Sequence, residues 1–405
     1  MTRGDGGDGA GTMSFDIDRA RAQTPGCTER IHFNNCGAGL MPEPVIDSLK
    51  VHIDLEARIG GYEAAEAADD AVQGAYGAVA GMLNCTPREI AIVENATRGW
   101  DMAFYSFDFD PGDRILTCSA EYVSNYVAYL QMVRKTGAII DIIPDDDHGA
   151  VDVDGLENMI DGRVKLIAIT HVPTNGGLVN PAAEIGRVAR AYGIPYLLDA
   201  CQSAGQMPLD VEALNVDMLS ATSRKYLRGP RGMGFLYVRE ALIAALEPPF
   251  VDLRATVWTA PQQYHLLDDA RRFENWECNV AAKIAMGTAV NYALDWGLDA
   301  IEARIALLAE ALRDGLASMP SVTLRDRGSR RCGIVSFTVA NREPAAIVAG
   351  LKARGINLSI SLATSTQLDM HARGLEALVR AGIHYYNTEE EIARFLEALG
   401  QAIRS

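Results

Sequence analysis

The chain of 405 residues has no apolar run approaching the ~20 residues of a membrane-spanning helix. Its opening, MTRGDGGDGAGTMSFD, lacks an apolar stretch and does not read as a secretory signal. Paired cysteines are also missing. The seven cysteines (Cys27, Cys36, Cys85, Cys118, Cys201, Cys278 and Cys332) are odd in number and scattered, with no C-x-x-C spacing. That argues against a disulfide framework and against a zinc site. Seven histidines supply no H-x-x-x-H pair, which disfavours a zinc hydrolase. Positive charge is scarce: 37 Lys plus Arg face 53 Asp plus Glu, a net charge of −16. Such a surface repels phosphate backbones, so no nucleic-acid partner is expected. No membrane partner is expected either, and the reading is a cytoplasmic protein in a reducing compartment.

What is present is ordinary globular material. Hydrophobic residues make up 48% and charged residues 22%. At ~100–200 residues per domain the length suggests two domains. Residues 1–14 are rich in Gly and Asp and read as a disordered tail. From about 70 to 260 short apolar runs alternate with helical patterns. The runs are ILTC (115–118), AIIDII (138–143), KLIAITHV (165–172), IPYLLDA (194–200), DMLSAT (217–222) and GFLYV (234–238). In the helical segment AAEIGRVARAYG, Ile185, Val188 and Ala189 share one face and Gly193 caps the end. Strand–helix–strand alternation of this kind predicts an α/β fold with a mostly parallel sheet covered on both faces. The charge run DDDHG (145–149) reads as a solvated turn. A helix-rich stretch (283–319) then leads to a strand GIVSFTV (333–339), a helix near 344–354, a strand INLSI and a final helix (389–403). In that helix Ile392, Phe395, Leu396, Leu399 and Ile403 share a face. The expected division is a large domain over 15–285 and a small α+β domain over 286–405. Whether the segment 15–50 joins the small domain stays open.

The glycine cluster G-P-R-G-M-G (229–234) does not match a dinucleotide loop, because its spacing differs and it precedes a strand. The stronger signal is a pair. Asp199 ends the run IPYLLDA, and Lys225 follows 26 residues later, after DMLSAT. Strand ends in such sheets are where ligands sit. An amine and a carboxylate there suit pyridoxal 5'-phosphate (PLP), whose aldehyde forms a Schiff base with Lys and whose ring nitrogen pairs with an acid. Only six lysines exist (Lys50, Lys135, Lys165, Lys225, Lys283 and Lys352). Lys225 alone sits between small polar residues and a Gly-Pro turn.

D-A-C-Q-S-A-G-Q (199–206) and T-S-R-K-Y-L-R-G-P-R-G-M-G-F-L-Y-V (222–238) resemble the class V branch of fold-type I PLP enzymes. That branch holds cysteine desulfurases, selenocysteine lyases, isopenicillin N epimerase and ergothioneine-pathway C–S lyases. T-H-V-P-T-N-G-G-L-V-N-P (170–181), R-F-E-N-W-E (272–277) and R-A-G-I-H-Y-Y-N-T-E-E-E (380–391) resemble it too, so the likeness covers about residues 30–403. It implies a large domain with a seven-stranded sheet and a small C-terminal domain. It implies Lys225 as the Schiff-base lysine and Asp199 at the ring nitrogen. Gln202 stands at the ring hydroxyl and Tyr122 in the ring-stacking position, with Lys225 and Tyr122 as the catalytic side chains. Ala96 and Thr97, at a helix N-terminus, and Thr222 and Arg224 are implied at the phosphate. Thr174 and Asn175 both match the neighbourhood of a cofactor Asn. Arg380 is implied to clamp the substrate carboxylate, with Asn35 also at the substrate. The 272–277 segment, which in relatives reaches the neighbouring subunit, implies a homodimer.

Two departures from that pattern matter. The segment 357–380, where desulfurases carry a nucleophilic Cys, contains none. Gly382 replaces a Ser, which reads as a wider substrate site. The expectation is therefore a PLP-dependent C–S β-lyase that eliminates from an S-substituted cysteine without a persulfide Cys, of the kind met in ergothioneine or lincosamide secondary metabolism. Released Lys225 would be the base at the α-carbon. Alternatives are a decarboxylating oxidative deaminase on an S-conjugated cysteine, an aminotransferase or epimerase on the same scaffold, and a non-catalytic binding protein.

Overall fold

The computed structural model describes residues 15–404; the tail expected at 1–14 lies outside the described residues. Among the described residues, fifteen strands are distributed over four sheets. β1 (Ile31–His32) pairs in parallel with β13 (Ile356–Asn357). The central sheet contains β2 (Ile90–Val93), β3 (Arg114–Thr117), β4 (Ile139–Ile142), β5 (Val164–Thr170), β6 (Tyr196–Asp199), β7 (Met218–Thr222) and β8 (Gly234–Val238), in the order β2-β8-β7-β6-β5-β3-β4. Only β8 runs against its neighbours. Residues alternate strictly between two buried faces. Ile167, Ile169, Leu198 and Leu219 pack on one side, and Leu166, Ala168, Leu197 and Met218 on the other. This double burial is why the strands read as continuous apolar runs.

β9 (Thr256–Ala260) and β10 (Gln263–Leu266) form an antiparallel hairpin. A second sheet, β11 (Val322–Leu324), β12 (Ile334–Val339), β15 (Ala377–Gly382) and β14 (Ser359–Leu362), is antiparallel throughout. Its core joins Phe337 and Val379 to Leu308, Leu312 and Phe395 from flanking helices, and to Ile31 and Phe33 of the N-terminal segment. The final helix, Glu389–Arg404, buries Ile392, Phe395 and Leu399, three of the five residues assigned to its inner face.

The helix-rich stretch 283–319 is two helices, Val280–Trp296 and Leu298–Ala317, broken at Gly297 (φ +81°). The first packs along its length on the helices Glu43–Ile59 and Asp69–Leu83. A domain boundary at 285/286 would cut it, so we propose that the large domain runs to Gly297. The DDDHG turn is not wholly solvated. Asp145 is half-buried, accepts a hydrogen bond from Ser119 Oγ at 2.7 Å and lies 3.6 Å from Arg327.

The glycine cluster has a packing explanation. Gly232 has φ +77°, in the left-handed region that favours glycine. A Cβ on Gly234 would come within 2.6 Å of Ala221 O and 2.9 Å of Ala96 N. Glycine there lets the helix Ala96–Phe104 start directly against the sheet.

Candidate active site

The C-terminal ends of β3, β5, β6 and β7 face the same way, because these strands are parallel. A cavity of about 240 Å³ opens there. Asp199 enters from the end of β6 and Thr170 from the end of β5. Lys225 and Arg224 come from the turn after β7, and Tyr122 from the loop after β3. Ala96 and Thr97 open the helix Ala96–Phe104, whose N-cap Asn95 accepts a hydrogen bond from Arg98 N at 2.9 Å. Gln202 and Thr174 complete the wall. Eight of the residues expected at the site therefore meet in one cavity: Lys225, Asp199, Gln202, Tyr122, Ala96, Thr97, Arg224 and Thr174.

The electrostatics of the cavity follow from burial. Burial lowers the ammonium pKa of Lys225, and the neighbouring Arg224 and Arg380 lower it further, against raising contributions from Cys201 and Asp199. A lysine so placed has a larger share of free, nucleophilic amine than an exposed one. Asp199 Oδ2 accepts from Asn125 Nδ2 at 2.9 Å, and Oδ1 accepts from the backbone N–H of Cys201 at 2.9 Å. Gln202 Nε2 donates to Cys36 O at 3.1 Å, while its Oε1 is buried with no hydrogen-bond partner.

Four expected residues stand elsewhere. Thr222 is buried at the end of β7 and does not line the cavity; its Oγ1 accepts from Arg224 Nη1 at 2.8 Å. Asn175 is turned away, its amide held by Ser361 and by Thr366 Oγ1 at 2.6 Å, so Thr174 is the one of the pair at the cavity. Arg380 lies one residue behind the wall. Its Nη1 donates to Thr174 O and Oγ1 at 2.7 and 2.5 Å, and its Nε to Ser359 Oγ at 3.1 Å. Asn35 does not serve a substrate in this geometry. It is fully buried, its amide donates to Gly382 O at 2.7 Å and His32 O at 3.1 Å, and its oxygen accepts from Tyr386. These bonds tie the N-terminal segment to β15.

Gly382 does not widen a substrate site either. A Cβ there would lie 2.7 Å from both N and Sγ of Cys36, so the Cys36 side chain already fills that space. In the 272–277 segment, Arg272 and Glu274 are buried and occupied within the chain. Arg272 donates to Leu267 O and Ile243 O, and Glu274 accepts from Ile92 N and Arg254. Trp276, in contrast, is exposed.

Sequence reasoning assigned no role to Glu121, Asn125, Thr170 or Cys201. Thr170 and Cys201 line the cavity, and Glu121 and Asn125 lie directly behind it. The Glu-x-x-x-Asn spacing at 121–125, which puts both side chains on one side of a helix start, was the available signal.

The profile of the aminotransferase class-V family matches residues 31–395. The chain belongs to that family. A probable cysteine desulfurase from Synechocystis is 29% identical over 92% of this chain and 91% of its own. The apo structure of a cysteine desulfurase from Thermococcus onnurineus superposes with a TM-score of 0.90 at 26% identity, covering 97% of this chain and 99% of that one. A mutant of C-DES with glycine covalently linked to its PLP cofactor matches with a TM-score of 0.85 at 26% identity, over 94% and 98% of the two chains. These class-V relatives bear out the α/β fold-type I architecture, with its mostly parallel sheet.

The same relatives correct the expected reaction. The Synechocystis relative is a probable cysteine desulfurase and the Thermococcus one a cysteine desulfurase, while C-DES is a cystine C–S lyase whose reaction product is cysteine persulfide. A persulfide-free β-lyase for S-conjugated cysteines of secondary metabolism is therefore overturned. The segment 357–380 still lacks a Cys, but the likeness to desulfurases extends over nearly the whole chain.

Proposed function

We propose that this family member is a PLP-dependent enzyme that removes sulfur from cysteine. The observation that carries the reading is the meeting of desolvated Lys225, Asp199 and the unpaired Gln202 oxygen in one cavity at the strand ends. These residues fit the cofactor. Lys225 supplies the amine for its aldehyde, Asp199 the carboxylate for its ring nitrogen, and Gln202 a polar contact for its ring hydroxyl. The free N–H groups of Ala96 and Thr97 suit a phosphate, helped by the Arg224 guanidinium that Thr222 steadies. Tyr122 covers the ring. When bound, PLP acts as an electron sink for carbanion chemistry at the amino acid.

The chain's own groups do the rest. Lys225, lowered in pKa, accepts and returns the proton of the substrate α-carbon. Arg380 has Nη2 free of any partner among the described residues, and through it binds the substrate carboxylate. Thr174, locked between Arg380 and Gln202, holds the wall between amino acid and ring.

The active unit is a homodimer. The β9–β10 hairpin and its approach expose Trp258 (78%), Leu253 (65%) and Val257 (54%), and Tyr62 is 75% exposed beside Trp276. Apolar side chains of this size and number mark a surface for another chain. Incubation of the holoenzyme with cysteine and an added thiol, which takes the released sulfur atom as its persulfide, is the test. Alanine and thiol-bound sulfane sulfur formed in equal amounts support the proposal; pyruvate and ammonia in their place overturn it.

A further inference from the structure

The buried carboxylate of Glu121 joins the ends of two strands, β3 and β5, and reaches the end of a third, β6, through Asn125. Its Oε1 accepts from the backbone N–H of Tyr122 at 3.0 Å, from Asn125 Nδ2 at 2.8 Å and from Thr170 Oγ1 at 2.5 Å. Its Oε2 accepts from Thr117 Oγ1 at 2.9 Å and from Thr170 N at 3.2 Å. Among the described residues it has no ion-pair partner. The Asn125 amide nitrogen has two protons and two carboxylate acceptors, Glu121 at 2.8 Å and Asp199 at 2.9 Å. Neither contact can be dropped without leaving a buried polar group unmet.

We propose that Glu121 is a positioning residue for the cofactor, setting Asp199 through Asn125 and Tyr122 through its backbone N–H. Glu121 touches neither cofactor nor substrate. It fixes the acid that meets one edge of the ring and the aromatic residue that covers its face, which stand on different elements. The proposal rests on the cofactor reading above and does not depend on which amino acid is turned over.

The surroundings of Glu121 support the idea. Burial pushes its carboxyl up to about 7, and Asp199 pushes the same way, against hydrogen bonds from Thr170, Asn125 and Thr117. The titratable groups around it are Cys118 on its own loop, Asp199 and Tyr196 from β6, and Tyr129 from the helix Val123–Thr136. None is a cation. A positive ring nitrogen at Asp199 is thus the charge that this cluster lacks.

The test is a double-variant cycle read on the bound cofactor without any amino acid. Wild type, Glu121→Gln, Asn125→Ala and the double variant are compared for PLP affinity and for the pH midpoint of the cofactor's visible band. Gln keeps the shape of Glu121 but points an N–H₂ at existing donors. Each single variant should weaken PLP binding about tenfold, the loss of one hydrogen bond to a charged group, and move the midpoint by about one unit. The double variant should be no worse than the weaker single one, because both changes cut the same path. Multiplying effects, near a hundredfold, overturn the proposal. So does a lowered melting temperature with an unmoved midpoint, which would mean structural support alone. If Glu121→Gln does not fold, Asn125→Ala still decides, since it leaves the carboxylate in place and an unmoved midpoint there overturns the proposal. Borohydride labelling of wild type against Lys225→Ala tests the underlying cofactor reading separately.

Discussion

Arg380 grips Thr174 by both of its oxygens, backbone and side chain, from one nitrogen, Nη1. β15 of the small sheet thereby holds a wall of a cavity built on the large one. The substitution Arg380→Lys keeps the charge but loses this geometry, because an ammonium on a flexible stem cannot reproduce the planar fork. The Michaelis constant for cysteine should rise by about 10–100-fold, the cost of ~1.4–3 kcal/mol of directional binding. Steady-state kinetics on the holoenzyme check it, and an unchanged constant would remove Arg380 from the substrate site.

Lys225→Ala should bind PLP without a covalent bond. Borohydride followed by peptide mapping should label Lys225 in wild type and no lysine in the variant. Label on Lys283, the one buried lysine among the described residues, would reassign the site.

Gly382→Ala tests whether the missing side chain reflects packing. The added Cβ meets Cys36 at 2.7 Å, in part through backbone, which cannot yield easily. A destabilisation of about 1–3 kcal/mol is expected from overpacking, measured by denaturant unfolding. Cys36→Ala in the same chain should restore only part of it, since the backbone contact remains. A neutral Gly382→Ala would revive the view of this position as spare room.

His171 gives a pH dependence with a definite sign. It is buried beside Ser203 Oγ at 3.0 Å, and burial, with Arg330 nearby, holds its pKa down to about 3. The unfolded chain protonates the same imidazole near its ordinary value, so between about 6.5 and 3 the unfolded state binds more protons. The stability that the neutral ring contributes is complete above about pH 6.5 and is lost as pH falls toward 3. Thermal melts of wild type and His171→Gln should differ most in slope between pH 6.5 and 4, with the wild type falling more steeply. Parallel slopes would show that the ring is not held neutral.

For the homodimer, light scattering should give twice the chain mass. Trp258→Asp should shift the balance toward monomer by placing a charge on an apolar contact. A wild-type enzyme that is fully active as a monomer would refute the shared assembly.

The legible parts of the structure were those with a one-dimensional signature. β6 and β7 are buried on both faces, so YLLD and MLSAT stand out as apolar strings ending in the polar residues that line or brace the cavity. β2 was not read as a strand, since four residues with no period cannot be told from a helix fragment. β15 was hidden because Arg380 and Gly382 interrupt its apolar run. The turn at Gly297 was missed, because a single glycine in helical surroundings breaks a helix only when packing redirects the chain. The family resemblance placed Asn35 at the substrate, although all of its bonds go to groups near it in space: His32, Gly382, Asn387 and Tyr386. Saturation of that kind is a property of the folded neighbourhood. Glu121 was passed over for the converse reason: a lone acidic residue before an aromatic one looks like surface until the strands bring Thr117 and Thr170 to it.

The parallel pairing of β1 with β13 has a consequence for how the protein is made. Asn357 Nδ2 lies 3.0 Å from His32 Nδ1, across 325 residues of chain. The segment that leaves the ribosome early thus has no partner until almost the whole chain has been translated. During synthesis Ile31 and Phe33 are exposed apolar residues beside an unpaired strand, and they must wait while the seven-stranded sheet assembles between them and their destination. Non-local closure of this length is slow. The N-terminal segment therefore acts as a late latch: the two-stranded β1–β13 pair can close only after residues 356–357 have been made.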